Sequence, residues 1–275
     1  MKDAGETYFI RFNGVHRIMH LIVMVSFLGL AVTGLPLKYS DSPWAPHFVS
    51  FIGGFERAGL LHRVCALLTF GYFAAHLVYL IHFFRYRSTE PLFGFILGPN
   101  SMVPGIKDLK DMGSNIKWFL GRGPKPRFDR WTYWEKFDYW AVFWGVGMIG
   151  ISGLFLWFPE FFSRFFPGWI LNIAAVVHSD EALLATGFIF IFHFGHTHLR
   201  GDKFPLDPVI FTGRISEGEM KEERPSEYDR LSREGRLESL RSAPPAPWLT
   251  ILSYVVGFAA LAVGVISIIL VIGTI

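Results

Sequence analysis

Five separate apolar stretches, near residues 17–37, 61–84, 139–158, 171–198 and 248–273, constrain what this chain can fold into more than any other feature. Each is about as long as a helix needs to cross a ~30 Å hydrocarbon core at 1.5 Å per residue. Hydrocarbon offers no partner to a backbone N–H or C=O, so such stretches satisfy themselves as helices. The chain is 51% hydrophobic, and its mean hydropathy of +0.35 is concentrated in these blocks. The fold class that follows is all-α, an integral membrane helical bundle. Residues 1–200 form a four-helix core, 201–246 a charged loop, and 247–275 a fifth, C-terminal membrane helix. The head MKDAGETYFIRF carries no small-residue cleavage site, so the first apolar stretch is expected to remain as a helix.

The distribution of lysine and arginine supplies sides. The connection after the second stretch carries Arg85, Arg87, Lys107, Lys110, Lys117, Arg122, Lys125, Arg127 and Arg130. The connection after the fourth carries Arg200, Lys203, Arg214, Lys221, Arg224, Arg230, Arg233, Arg236 and Arg241, and the N-terminus adds Lys2, Arg11 and Arg17. The first connection has only Lys38, Arg57 and Arg63, and the third only Arg164. By the positive-inside rule the N-terminus and both basic connections are expected in the cytoplasm and the C-terminus on the periplasmic side of a bacterial-type inner membrane. The net charge of +3 and pI of 9.0 then reflect topology, and no nucleic-acid partner is expected. A single cysteine, Cys65, excludes an internal disulfide, a CxxCH haem attachment and a self-contained iron–sulfur cluster.

Between these spans, Ile106–Leu120 reads as an amphipathic stretch on the inner membrane surface, and FPEFFSRFFPGW as a short interfacial helix. WTYWEKFDYW reads as an aromatic belt leading into the third span. The third span carries Gly145, Gly147, Gly150 and Gly153, small enough for close helix approach. The charged run SEGEMKEERPSEYDRLSREGRLESLRS reads as a solvated loop with surface helices or as a docking surface; Ser216 and Glu219 have capping-box spacing.

Histidines inside these spans carry the chemistry. His62 and His76 lie on the second span, thirteen residues between them, and His178 and His193 on the fourth, with fourteen between them. Each pair extends about 21–22 Å along a helix, with its members within ~40–60° of one face. Ionisable groups at membrane depth are costly, and four that agree pairwise in spacing point to function. Two facing pairs at two depths have the geometry for two b-type haems held through both axial positions by imidazole. The charge distribution places His62 with His178 near the outer face and His76 with His193 near the inner face. Thr69 and Ala185 lie seven residues after His62 and His178, and Ala66 and Ala182 four after; small residues there leave room for two macrocycles or suit tight helix packing.

His20 and His198 leave alternatives open. His20 can replace His76 as the inner ligand, line a quinone pocket, or pair with His198 around a third haem. Arg17 and Arg63 stand near the presumed ligands, as propionate partners or as snorkelling interfacial cations. Asp180 and Glu181 follow His178 closely and are candidates for accepting protons from a quinol, or are helix-start carboxylates.

The paired histidines resemble those of cytochrome b in quinol:cytochrome c oxidoreductases, where four histidines ligate two haems. RIMHLIVMVSFLGLAVTGLPLK, LLHRVCALLTFGYFAAHL, YWEKFDYWAVFWG and HSDEALLATGFIFIFHFGHTHLRGDKFPLDPVIFTGR are similar to another group, the di-haem cytochrome b subunits that anchor formate dehydrogenases, hydrogenases and multihaem cytochromes. The likeness covers most of residues 11–215. The first resemblance implies His62, His76, His178 and His193 as ligands. The second implies His20 in place of His76 and a fourth-span pair spaced H-x13-H, whereas here position 192 is Phe and the histidine comes one residue later. Either implies a quinone-linked electron-transfer subunit of an oxidoreductase complex. Its partners would be the quinone pool, membrane lipid, and a periplasmic multihaem cytochrome c or a dehydrogenase or iron–sulfur subunit. A self-contained transmembrane haem reductase and a haem-free transporter or assembly factor are the competing expectations.

Overall fold

The computed structural model describes residues 6–86 and 91–274. Lys2 and Arg87, both used in the charge argument, lie outside the described residues. The elements run β1 (Tyr8–Ile10), α1 (Gly14–Lys38), α2 (Trp44–Ile52), α3 (Phe55–Tyr86), α4 (Leu92–Leu97), α5 (Ile106–Phe119), α6 (Tyr133–Trp157) and α7 (Pro159–Phe162). There follow α8 (Trp169–Phe188), a π-helical turn at Ile189–His193, α9 (Phe194–Thr197), α10 (Val209–Thr212), β2 (Arg214–Ser216), α11 (Glu217–Glu223), α12 (Pro225–Arg233), β3 (Arg241–Ser242) and α13 (Pro247–Ile272). Five helices are long and apolar enough to cross a membrane: α1, α3, α6, the continuous run Trp169–Thr197, and α13. The all-α membrane bundle read from the sequence is the observed class, and this is a multi-pass membrane protein.

The described residues form two compact units that do not follow chain order. One gathers residues 18–77, 143–208 and 251–275. Its helices approach through small residues, because in lipid the gain from association comes from close packing rather than from removing apolar surface from water. On α13 the buried positions are Ser253, Gly257, Ala260, Gly264 and Ser267, a stripe at alternating spacings of four and three. A Cβ at Gly264 would stand 2.0 Å from the Phe190 ring, and one at Gly257 2.6 Å from Leu206. Ser26, fully buried on α1, accepts a 3.0 Å hydrogen bond from Thr69 on α3. On α3 itself only Ala58 is buried, which leaves a helix dressed mostly in outward apolar side chains.

The other unit joins residues 6–17 to 78–86, 91–142 and 209–250. Strand β1 lies between β2 and β3, antiparallel to both. Around it Phe9, Val209, Ile215, Met220 and Leu231 form a small core. Here the charged run is more than a solvated loop. Glu227, 1% exposed, receives Arg11 at 2.6 Å and Arg130 at 2.9 Å, while Arg224 reaches Glu135 at 2.8 Å and Arg230 reaches Asp129 at 2.8 Å. Burial pulls the Arg11 guanidinium down to about 10, partly offset by Glu227. The Ser216–Glu219 capping box forms as its spacing indicates, with reciprocal bonds of 3.3 and 3.2 Å. This unit ties together three stretches that five alternating spans would leave on one side.

Candidate haem-ligand histidines

His62 of α3 and His178 of α8 come together, their ring centroids 6.1 Å apart. Two imidazoles bound to one metal ion through bonds of about 2 Å have centroids about 6 Å apart, a separation these two rings have. Each ring is oriented from behind by a hydrogen bond at Nδ1. Thr33 Oγ1 lies 2.8 Å from His62 Nδ1. The threonine proton is committed to the Gly29 carbonyl at 2.6 Å, so the hydroxyl oxygen accepts and His62 Nδ1 donates. His178 Nδ1 lies 2.9 Å from the carbonyl oxygen of Ile149, which can only accept. Both neutral rings therefore carry their proton on Nδ1 and a lone pair on Nε2. Among the described residues neither Nε2 makes a hydrogen bond. An imidazole fixed in this tautomer by an acceptor behind it is the usual arrangement of a metal-ligating histidine.

The approach behind these rings is opened by glycine. A Cβ at Gly34 would lie 3.3 Å from His62 Cε1, and a Cβ at Gly153 would lie 2.9 Å from His178 Cε1. Of the glycines noted on the third span, Gly153 thus backs a candidate ligand, and Gly150 admits the Phe70 ring, 2.9 Å from where its Cβ would be. Thr69 does not face open space: it bonds Ser26 and the Cys65 carbonyl, both at 3.0 Å.

At the second level the fourth span departs from α-helical geometry. The turn Ile189–His193 is π-helical, and the Phe194 N–H donates to the Ile189 carbonyl five residues back. A π turn absorbs one extra residue without advancing the face. A plain fifteen-residue step would leave His193 about 60° past His178, whereas the bulge returns it to the fourteen-residue equivalent, about 40° short. That is the offset between His62 and His76. The extra residue in the H-x14-H spacing is taken up by this turn.

The His193 ring centroid is 5.9 Å from that of His196 and 6.2 Å from that of His198, and His20 of α1 neighbours His193 and His198. His198 is 4% exposed and accepts the Asp207 backbone N–H at Nδ1, 3.3 Å away. With Nδ1 accepting, the ring carries its proton on Nε2. That tautomer is the reverse of the one at His62 and His178. His76 stacks on Tyr72 at 6.3 Å and meets Phe143 edge-on at 5.9 Å. The structure therefore brings His20, His193 and His198 together and packs His76 among aromatic rings.

The remaining candidates are engaged with protein groups. Arg17 Nε donates to the Phe211 carbonyl at 2.7 Å, and the Arg63 guanidinium lies 5.8 Å from the Trp157 ring centroid. Asp180 pairs with Lys38 at 2.6 Å, and Glu181 accepts from Trp144 Nε1 at 3.4 Å. These two carboxylates border a 290 Å³ groove whose other walls are Met148, Val176, Val177 and Leu184.

Sequence reasoning left the ring acceptors unidentified. Thr33 had a signal, a hydroxyl inside an apolar span; the Ile149 carbonyl, being backbone, had none. No protein-family model matches the chain, and a comparison with curated proteins finds no match.

Proposed function

We propose that this chain is an integral membrane cytochrome b subunit that carries electrons between the quinone pool and a partner redox subunit. The observation that carries this reading is the His62–His178 pair: centroids 6.1 Å apart, each Nδ1 committed to an acceptor, each Nε2 left with its lone pair. These two would hold one haem b. His193 would hold a second with a histidine of its own level, and its closeness to His20 favours His20 over His76. Haem supplies the reversible one-electron chemistry of its iron. The chain supplies the rest. Thr33 and Ile149 hold the imidazoles in register and raise their basicity, and the apolar helices keep water from the ligands. Glu181, at the rim of an apolar groove, would take up protons released by a quinol, with Asp180 beside it held by Lys38.

On the positive-inside argument the N-terminus is cytoplasmic and the partner, a multihaem cytochrome c or a dehydrogenase or iron–sulfur subunit, docks on the periplasmic side. The test is anaerobic addition of a quinol to the oxidised, purified protein. The expected result is growth of a b-type α-band on reduction. A haem-loaded protein that no quinol reduces would remove the quinone from this function.

A further inference from the structure

Helix α5 is mounted with its polarity inverted. Its buried side chains are the polar ones, Asp108 at 7% and Asn115 at 2% exposure. Asn115 Nδ2 donates to the Tyr133 hydroxyl at 3.0 Å, and Asp108 pairs with Lys136 at 2.8 Å. The outward positions are apolar: Ile106 is 74% exposed, Leu109 66%, Ile116 52% and Leu120 63%. At 100° per residue these four fall within about 80° of the helix surface, and Lys110 and Lys117 border them at a further ~20–40°. A water-facing helix buries its apolar stripe and exposes its polar one; this helix does the opposite.

The mounting sets the depth. Tyr133 and Lys136 are in the first turn of α6, a helix fit to cross the membrane. Just before α5, the Asn100 carbonyl accepts from Trp131 Nε1 and the Met102 carbonyl from Trp140 Nε1, both at 3.1 Å. Indole N–H groups that bond polar partners at a span's end mark the headgroup level. Nearby in sequence, Phe95 of α4 packs on Phe83 and Phe84 at the last turn of α3, at 5.4 and 5.1 Å, while Phe93 and Leu97 stand 78% and 85% exposed. Beyond α5, Arg122 and Lys125 are exposed as well.

We infer that residues 92–120 form an interfacial platform whose occupant is anionic lipid of the leaflet on the N-terminal side. Ile106, Leu109, Ile116 and Leu120 enter the acyl boundary, and Lys110 and Lys117 meet the phosphates. Helices of this kind bind by apolar burial plus attraction of basic residues to acidic headgroups. The inference does not depend on haem. Its test places an environment-sensitive fluorophore by Leu109→Cys or Ile116→Cys, with Cys65→Ala, in the full chain reconstituted in nanodiscs of phosphatidylglycerol and phosphatidylcholine. Both sites are exposed, so the labels disturb no core; Ser239→Cys serves as the water-facing control.

The expected result is strong quenching at 109 and 116 by nitroxide-bearing lipid and weak quenching by iodide, with the reverse at 239. Nitroxide-labelled phosphatidylglycerol should quench more than labelled phosphatidylcholine, and Lys110→Gln with Lys117→Gln should remove that difference. Iodide quenching at 109 equal to that at 239 would overturn the proposal. So would protection from both quenchers, which would mean that protein covers the face. Equal quenching by the two labelled lipids would overturn the anionic preference.

Discussion

The two histidine levels in the membrane helices are built differently. At His62–His178 both helices are regular, both rings are backed by an acceptor at Nδ1, and each has a glycine close behind it. At His193 the helix passes through a π turn, and three further histidines lie close, His20, His196 and His198, the last in the opposite tautomer. On the proposed reading, the first level is a pair of histidines prepared by their second neighbours. The second gathers more imidazoles than two, and its outcome depends on which of them the backbone aligns. A ligand site is thus specified as much by what holds the far nitrogen as by which residue type is present.

The largest effect should come from the ligands. His62→Ala and His178→Ala should each lower the haem content of the purified protein from two to one, measured as pyridine haemochrome per chain. His20→Ala should do the same at the other level, while His76→Ala keeps both haems; the converse pattern would assign the second level to His76. Next in size is Thr33→Val, which takes the side-chain acceptor from His62 Nδ1. Loss of such a partner lowers metal affinity by about 10–100-fold, to be read by haem transfer to an apo-acceptor protein; an unchanged rate would mean that Thr33 does not hold the ring.

Comparable in size is Gly153→Ala, whose methyl would sit 2.9 Å from His178 Cε1. Crowding of this sort costs roughly 1–3 kcal/mol, seen as a lowered melting temperature with a shifted spectrum of the His62–His178 haem only. The smallest effect should be deletion of Phe192, which is 61% exposed. Removing one residue lets the π turn relax to α-helix while His193 keeps its face, so both haems should remain. Loss of the second haem in this variant would show that the π turn itself, rather than the alignment it restores, is required.

Much of this was legible in residue order. Five apolar runs of spanning length could only be helices, and they are. His62 and His178 stood out within such runs as ionisable groups at membrane depth, each paired by spacing with a second histidine on its own span. The capping box at Ser216–Glu219 and the helix over Ile106–Phe119 were local patterns and formed locally. What stayed hidden depends on contacts distant in sequence. Residues 33 and 149 lie 29 positions from the rings they orient, and one of the two contributions is a carbonyl that every residue possesses. The π turn was written only as an extra residue between His178 and His193, a spacing with no local signature of its own. The run 217–242 has the composition of a solvated loop, yet Glu227 is enclosed by Arg11 and Arg130 from elsewhere in the chain. Breaking such a pair from one side costs about 3–5 kcal/mol, a contribution composition does not reveal. The outward stripe of α5 was read as amphipathic; that its polar face is the anchored one follows only from Asn115 and Asp108 meeting Tyr133 and Lys136.

The central claim is that the membrane histidines hold haem b. Its most direct test is the reduced-minus-oxidised optical spectrum of the purified full chain, taken with its haem-to-protein ratio. The account requires a b-type α-band and two haems per chain. A chain that is folded in its membrane mimetic and purified from haem-replete cells, yet carries no b-type band, would contradict it.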